Sequence, residues 1–312
     1  MTPRPIFDIR IGGRNVRLGA RTLIMGALNV TPDSFSDGGF YLDPARAIEH
    51  GMELARQGVD WIDIGGESTR PGSRPISADE ELRRVLPVIK GLRGRLRSIP
   101  ISIDTTKAEV AEKAVQAGAN ILNDISGLRF DPRLAGVARR YKTPLILMHM
   151  RGRPETMQTR PFVENILQSV IRGLASSLQR ALAAGLRRPQ LILDPGLGFG
   201  KSRFQNFEIL AQLGKLRRFG LPILIGSSRK SFVQAVAAGT GFHVGALQGQ
   251  RGRKGAAAYW PMQAGAHGVP LQSADAAAVV ASILAGAHIV RVHDVAGILP
   301  AVRIADAVLS AR

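Results

Sequence analysis

Three side chains with hydrogen-bonding chemistry stand at the ends of short apolar runs: Asp104 after Ile101-Ser102-Ile103, Asn123 after Ile121-Leu122, and Asp194 after Leu191-Ile192-Leu193. A carboxylate that closes an apolar strand is costly unless something pairs with it. Two partners fit: a flat heterocycle with adjacent N–H donors, or an internal salt bridge, most readily with Lys230. Arg291-Val292-His293 alternates at another strand end, so Arg291 and His293 point to the same side. Two such groups side by side can grip a pyrophosphate; the competing reading pairs Arg291 with a carboxylate such as Asp294. Ser227-Ser228-Arg229-Lys230-Ser231 places small hydroxyls and two cations between a strand and a helix start. That order suits an anion, or a serine N-cap with solvated cations.

Longer polar stretches follow other strands. Asn29 to Gly39, Gly65 to Gly72 and Asp194 to Lys201 are rich in glycine, proline and hydroxyl residues, costly as structure and useful as a site. Their glycines let backbone approach a ligand closely. Gly198-Phe199-Gly200-Lys201 lacks the spacing of a true phosphate loop, and His149 in Met148-His149-Met150 reads as structural. No HExxH or comparable cluster predicts a tightly held zinc. Magnesium arriving with a diphosphate needs one or two protein oxygens, and Asn29 can supply one.

The elements that must position these groups alternate. After a hairpin over Phe7 to Ile11 and Asn15 to Leu18, apolar strands begin near residues 23, 61, 101, 121, 145, 191, 223 and 289, with amphipathic helices between them. Eight strand–helix units predict an α/β fold of the (β/α)8 TIM-barrel type in a single domain over 1–312. An open doubly wound sheet would feed one crevice from two or three loops, whereas here at least five post-strand loops carry polar chemistry. The segment 240–274 breaks the pattern: it is rich in Gly and Ala, shows no period, and extends a stretch from Ile209 to Ala274 without an acidic residue. It is expected to be a flexible insertion.

Composition narrows the function. The chain lacks cysteine, which excludes thiol catalysis, disulfides and Cys-ligated zinc and fits a cytoplasmic location. No apolar run reaches the roughly 18 residues of a membrane span, and the opening Met1-Thr2-Pro3-Arg4-Pro5 does not read as a secretory signal. The net charge of +18 suits a phosphate-bearing substrate; no nucleic-acid reading module accompanies it, so neither nucleic acid nor membrane is an expected partner.

Taken together, Asn29–Gly39, Gly65–Gly72, Ser102-Ile103-Asp104-Thr105, Asn123-Asp124-Ile125, Leu147–Met150, Asp194–Lys201, Ser228–Phe232 and Arg291–Val295 resemble, in order, the motifs of the dihydropteroate synthase family. The resemblance implies a TIM barrel, usually a homodimer, that joins (7,8-dihydropterin-6-yl)methyl diphosphate to 4-aminobenzoate with release of diphosphate, in folate biosynthesis, and that is a sulfonamide target. It implies Mg²⁺ at Asn29, pterin binding by Asp104, Asn123, Met148, Asp194, Phe199, Gly226 and Lys230, and diphosphate at Arg291 and His293. Thr69, Arg70, Pro71 and Phe35 would close over the aminobenzoate, whose carboxylate would sit near Ser231. Asp104, Lys230, Arg291 and His293 would carry catalysis. A pterin-dependent methyltransferase and a catalytically weak pterin-binding paralogue are the alternatives. The chain departs from the family pattern at the insertion, after which Leu271, Ala274 and Asp275 replace an arginine and a Gly-Thr or Gly-Ser pair.

Overall fold

A computed structural model describes residues 4–31, 43–159, 161–237 and 271–311. The chain opens with β1 (Phe7–Ile11) and β2 (Arg14–Leu18), antiparallel across Gly12-Gly13. Both glycines have positive φ, +54° and +84°, which the two-residue turn requires.

Eight parallel strands follow: β3 (Leu23–Asn29), β4 (Trp61–Gly65), β5 (Ile101–Asp104), β6 (Ile121–Asp124), β7 (Leu145–Met148), β8 (Leu191–Asp194), β9 (Leu224–Ile225) and β10 (Ile289–Val292). They pair in the order β8-β7-β6-β5-β4-β3-β10-β9. A parallel bridge between Leu193 and Ile223 joins the two outer strands and closes the ring. Around it lie α1 (Pro44–Arg56), α2 (Ala78–Arg95), α3 (Ala108–Gln116), α4 (Arg133–Tyr141), α5 (Ile166–Ala183), α6 (Arg203–Ala211), α7 (Ser231–Ala237), α8 (Leu271–Leu284) and α9 (Val295–Ser310). This is the TIM barrel the alternation predicts.

The period of two along each strand sorts residues into an outer and an inner set. Ile62, Ile64, Ile103, Leu122, Leu147, Leu193 and Val290 share the large core with helix residues such as Val85, Ile89 and Val110. Leu23, Met25, Trp61, Ile121, Ile146, Ile192, Leu224 and Ile289 form a second cluster with Ile9, Ile11 and Leu18 of the hairpin. The hairpin thus plugs the N-terminal end of the barrel, and an apolar layer fills its interior. Two residues further along the same inward positions come Asp63, Asn123, Met148, Asp194, Gly226 and Arg291. The polar groups are a layer resting on a packed floor.

The structure differs from the sequence reading at some boundaries. The strands run on to include Asn29, Gly65, Asp104, Asp124 and Asp194, because each polar end still pairs with its neighbour: Asn29 with Gly65, Gly65 with Asp104, Asp104 with Asn123. Helix α8 begins at Leu271, so the last four residues of the expected insertion are helical. The rest of the insertion, and Phe35, lie outside the described residues. Among the described residues no helix is long and apolar enough to cross a membrane.

Candidate active site

At the C-terminal end of the barrel a buried aspartate organises the polar layer. Asp63 is fully buried on β4. Its Oδ2 accepts from Arg291 Nε at 2.6 Å and from Asn123 Nδ2 at 3.0 Å. Arg291 also donates through a terminal nitrogen to Asp104 Oδ2 at 3.3 Å. One guanidinium therefore serves two carboxylates, from the neighbouring strands β4 and β5. Burial, then the charge of Asp63, pushes the Asp104 carboxyl up to about 8 despite Arg291. Asp104 and Asn29 flank one bare stretch of backbone: a Cβ added to Gly65 would lie 3.8 Å from Asn29 Oδ1 and 3.8 Å from Asp104 Oδ2.

A second group lies on the far side of the mouth. The Lys230 ammonium sits 4.1 Å from the centroid of the Phe199 ring, a cation–π contact. Burial and the nearby Arg291 bring the Lys230 pKa down to about 8, against the pull of Asp194 and Asp104. Burial raises Asp194 to about 6. One of its oxygens accepts from the Gly196 N–H at 2.7 Å. Lys201 is buried beneath this loop and donates to the carbonyls of His149, Gly196 and Phe199 at 3.1, 2.7 and 3.0 Å. Three acceptors match an ammonium's three donors, so the lysine of the apparent phosphate loop is a lock on the loop's shape. Met148 and Phe199 belong to a small apolar cluster with Ile125, Met150 and Met157, a greasy wall beside the polar groups.

His293 follows Arg291 by two residues. Burial and the surrounding cations Arg291, Arg229, Lys230 and Arg70 hold its pKa down to about 3, so the ring is neutral near pH 7. Its Nδ1 is buried and has no partner among the described residues. Opposite it, the loop with Thr69, Arg70 and Pro71 turns on bonds from Ser73 N–H to Arg70 O (3.0 Å) and from Gly72 N–H to Pro154 O (3.0 Å). The base of this loop is tied down as well. Lys107 Nζ contacts both Glu67 and the fully buried Glu81, the latter at 2.6 Å.

Of the expected residues, Asp104, Asn123, Asp194, Lys230, Arg291 and His293 lie together on one rim. Two competing pairings are corrected. Among the described residues no ion pair joins Lys230 to Asp104 or Asp194; Lys230 packs on Phe199, and the carboxylate partner in the layer is Arg291. Arg291 does not pair with Asp294. That carboxylate caps α9 by accepting from Gly297 N–H at 2.9 Å and takes a second bond from Gln272. Sequence reasoning missed Asp63, although an aspartate between two isoleucines of a strand was a visible signal. It also missed the Glu67–Lys107–Glu81 network, whose members are 14 and 26 residues apart in sequence. A cleft of about 1290 Å³ lies at the opposite end, between the hairpin and the turns before β6, β7 and β8, and contains none of these residues.

Comparison with known proteins places this geometry. A family model described as pterin binding enzyme matches residues 25–293. A dihydropteroate synthase of Synechocystis sp. is 42% identical over 93% of this chain and 91% of its own length. Among solved structures, Yersinia pestis dihydropteroate synthase with a sulfonamide drug complex superposes with a TM-score of 0.80 at 37% identity, covering 98% of this chain and 100% of that one. The Xanthomonas albilineans enzyme in complex with 7,8-dihydropteroate gives a TM-score of 0.76 at 35% identity, over 96% of this chain and 98% of that one.

Proposed function

The chain belongs to the pterin-binding enzyme family, among its dihydropteroate synthases, and we propose that its rim carries out that reaction with the residues assembled above. The dihydropterin ring lies between Asp194, Asn123 and Lys230, with Met148 and Phe199 against its apolar faces. Asp194 accepts ring N–H donors and Lys230 donates to a ring acceptor. The diphosphate lies at Arg291 and His293, where a permanent cation and a neutral imidazole donor meet. The observation that carries the reading is the shared Asp63–Arg291–Asp104 contact. It sets the cation for the leaving group directly beside the carboxyl groups of Asp63 and Asp104, where the positive charge on the pterin methylene would develop. Separating those two charges is the main task of the site.

Asn29 fits a magnesium ion that comes with the diphosphate. Its neutral oxygen at a strand end, beside Asp104, is a ligand of the kind such an ion takes from protein, and no group of three or more acidic, His or Cys side chains that could hold a metal forms among the described residues. When bound, the ion would neutralise charge on the departing diphosphate. The remaining work belongs to the chain: Arg291 and His293 orient the leaving group, and the loop of Thr69, Arg70 and Pro71 covers the 4-aminobenzoate and excludes water. Ser231, at the start of α7, lies where the aminobenzoate carboxylate would sit. The arylamine attacks the methylene carbon as the C–O bond breaks, and its proton passes to solvent or diphosphate; positioning supplies much of the rate.

We also propose a homodimer. Ile304 and Val308, one turn apart on α9, are 65% and 46% exposed, an apolar stripe that a second copy would cover. The cysteine-free sequence fits a reducing compartment such as the cytoplasm. Incubating the protein with the pterin diphosphate, 4-aminobenzoate and Mg²⁺ tests the reading. Stoichiometric diphosphate and dihydropteroate are expected; diphosphate release independent of 4-aminobenzoate, or none at all, would overturn it.

A further inference from the structure

We infer that Asp275, the fifth residue of α8, is a positioning residue for the catalytic rim, holding the loops that present Lys230 and His293 in one arrangement. The inference rests on the pterin-binding reading of Lys230 given above. Asp275 is 4% exposed. Its two carboxylate oxygens accept the Arg229 N–H at 2.9 and 3.0 Å, and one also accepts the Ser228 hydroxyl at 3.0 Å. The Ser228 oxygen in turn accepts the His293 N–H at 3.5 Å. One carboxylate thus links the loop after β9 to the loop after β10.

The link matters because the loop after β9 has an unfavourable backbone. Arg229 has φ +56°, a left-handed conformation that disfavours any residue with a β-carbon. Nothing in Ser-Ser-Arg-Lys-Ser supplies the glycine that would ease it. Lys230 follows directly, so the turn at Arg229 sets where the ammonium enters the barrel and meets Phe199. A buried carboxylate accepting the Arg229 N–H holds that turn. No acidic residue occurs from Ile209 to Ala274, so Asp275 is the first carboxylate after the loop. It stands in the stretch where the chain departs from the family pattern, and it gives that departure a purpose.

The test measures equilibrium binding of 6-hydroxymethylpterin and of inorganic diphosphate, with thermal midpoints, on the full chain. Asp275→Ala is expected to weaken pterin binding about tenfold or more, the usual effect of losing charge-assisted bonds. Asp275→Asn, which keeps an oxygen for the Arg229 N–H, is expected to stay within about threefold. Asp306→Ala breaks a comparable network with Arg4 and Thr22 at the other end of the barrel. It should lower the midpoint and leave pterin affinity alone. Pterin binding by folded Asp275→Ala at the wild-type level would overturn the inference, as would an equal loss in Asp306→Ala. If Asp275→Ala does not fold, Ser228→Ala decides: it should weaken diphosphate binding about threefold or more, and unchanged binding would overturn the inference. Unchanged pterin binding by Lys230→Ala would instead strike at the underlying reading of Lys230.

Discussion

Arg291 approaches Asp63 more closely than Asp104, at 2.6 Å against 3.3 Å. The nearer carboxylate is fully buried and the farther one opens toward the mouth. Asp63 therefore acts as the fixed counter-ion that aims Arg291, leaving Asp104 with an incomplete partner and a raised pKa. Asp63→Ala would leave a buried guanidinium without its main partner. It is expected to lower the unfolding free energy by about 3 kcal/mol and to reduce kcat/KM at least tenfold. Urea denaturation and steady-state diphosphate release check both. A variant as stable and active as the parent would show the pair to be incidental.

Pterin affinity should be bell-shaped in pH. Burial raises Asp194 from 3.8 to about 6, so the folded chain keeps a proton that the unfolded chain releases. For this group, stability is greatest below pH 3.8 and declines as pH rises through about 6. Ring N–H donors bind the anion, so affinity runs the other way and rises with pH through about 6. Lys230, lowered to about 8, loses a donor proton above that pH. Outside these limits affinity should fall about tenfold per pH unit. Asp194→Asn should remove the acid limb and Lys230→Met the alkaline one, as read by pterin fluorescence. A flat profile in the wild type would contradict both assignments.

Lys107 neutralises the buried Glu81 and ties Glu67 at the base of the Thr69–Pro71 loop. Lys107→Met leaves Glu81 without its ion partner, and burial already drives that carboxyl upward. A stability loss of about 3 kcal/mol is expected. Because Glu67 is released, the KM for 4-aminobenzoate should rise about fivefold while pterin affinity holds. Equal damage to both substrates would mean that the network does not act through the loop.

If a second copy covers α9, charging its exposed stripe should separate the subunits. Ile304→Glu with Val308→Glu is expected to shift the sedimentation coefficient to the monomer value at micromolar concentration. A monomeric wild type, or an unaffected dimer, would place the interface elsewhere or remove it.

Much of this site could be read from sequence, because the barrel imposes a simple rule. Asp104, Asn123, Asp194, Arg291 and His293 each stand at or just past the end of an apolar run, and the period of two aims them inward above the apolar floor. Partners were less legible. Asp63 sits inside a strand, not at its end, and its bond to Arg291 spans 228 residues. The competing pairing of Arg291 with Asp294 failed because Asp294 lies past the end of β10, where its carboxylate caps α9. Lys201 was rightly set apart from a phosphate loop by its spacing. Its role as a lock depended on three carbonyls brought together only by folding. Asp275 was noticed as a departure, but the loop it holds lies 46 residues upstream.

The central claim is that one half of the rim grips the ring and the other half the departing anion. Paired titrations of Asp194→Ala and His293→Ala with 6-hydroxymethylpterin and with its diphosphate ester test it most directly. Asp194→Ala should lose affinity for both ligands, and His293→Ala only for the diphosphate ester. If Asp194→Ala binds the bare pterin as the wild type does, or His293→Ala loses both ligands equally, the division of the site is wrong.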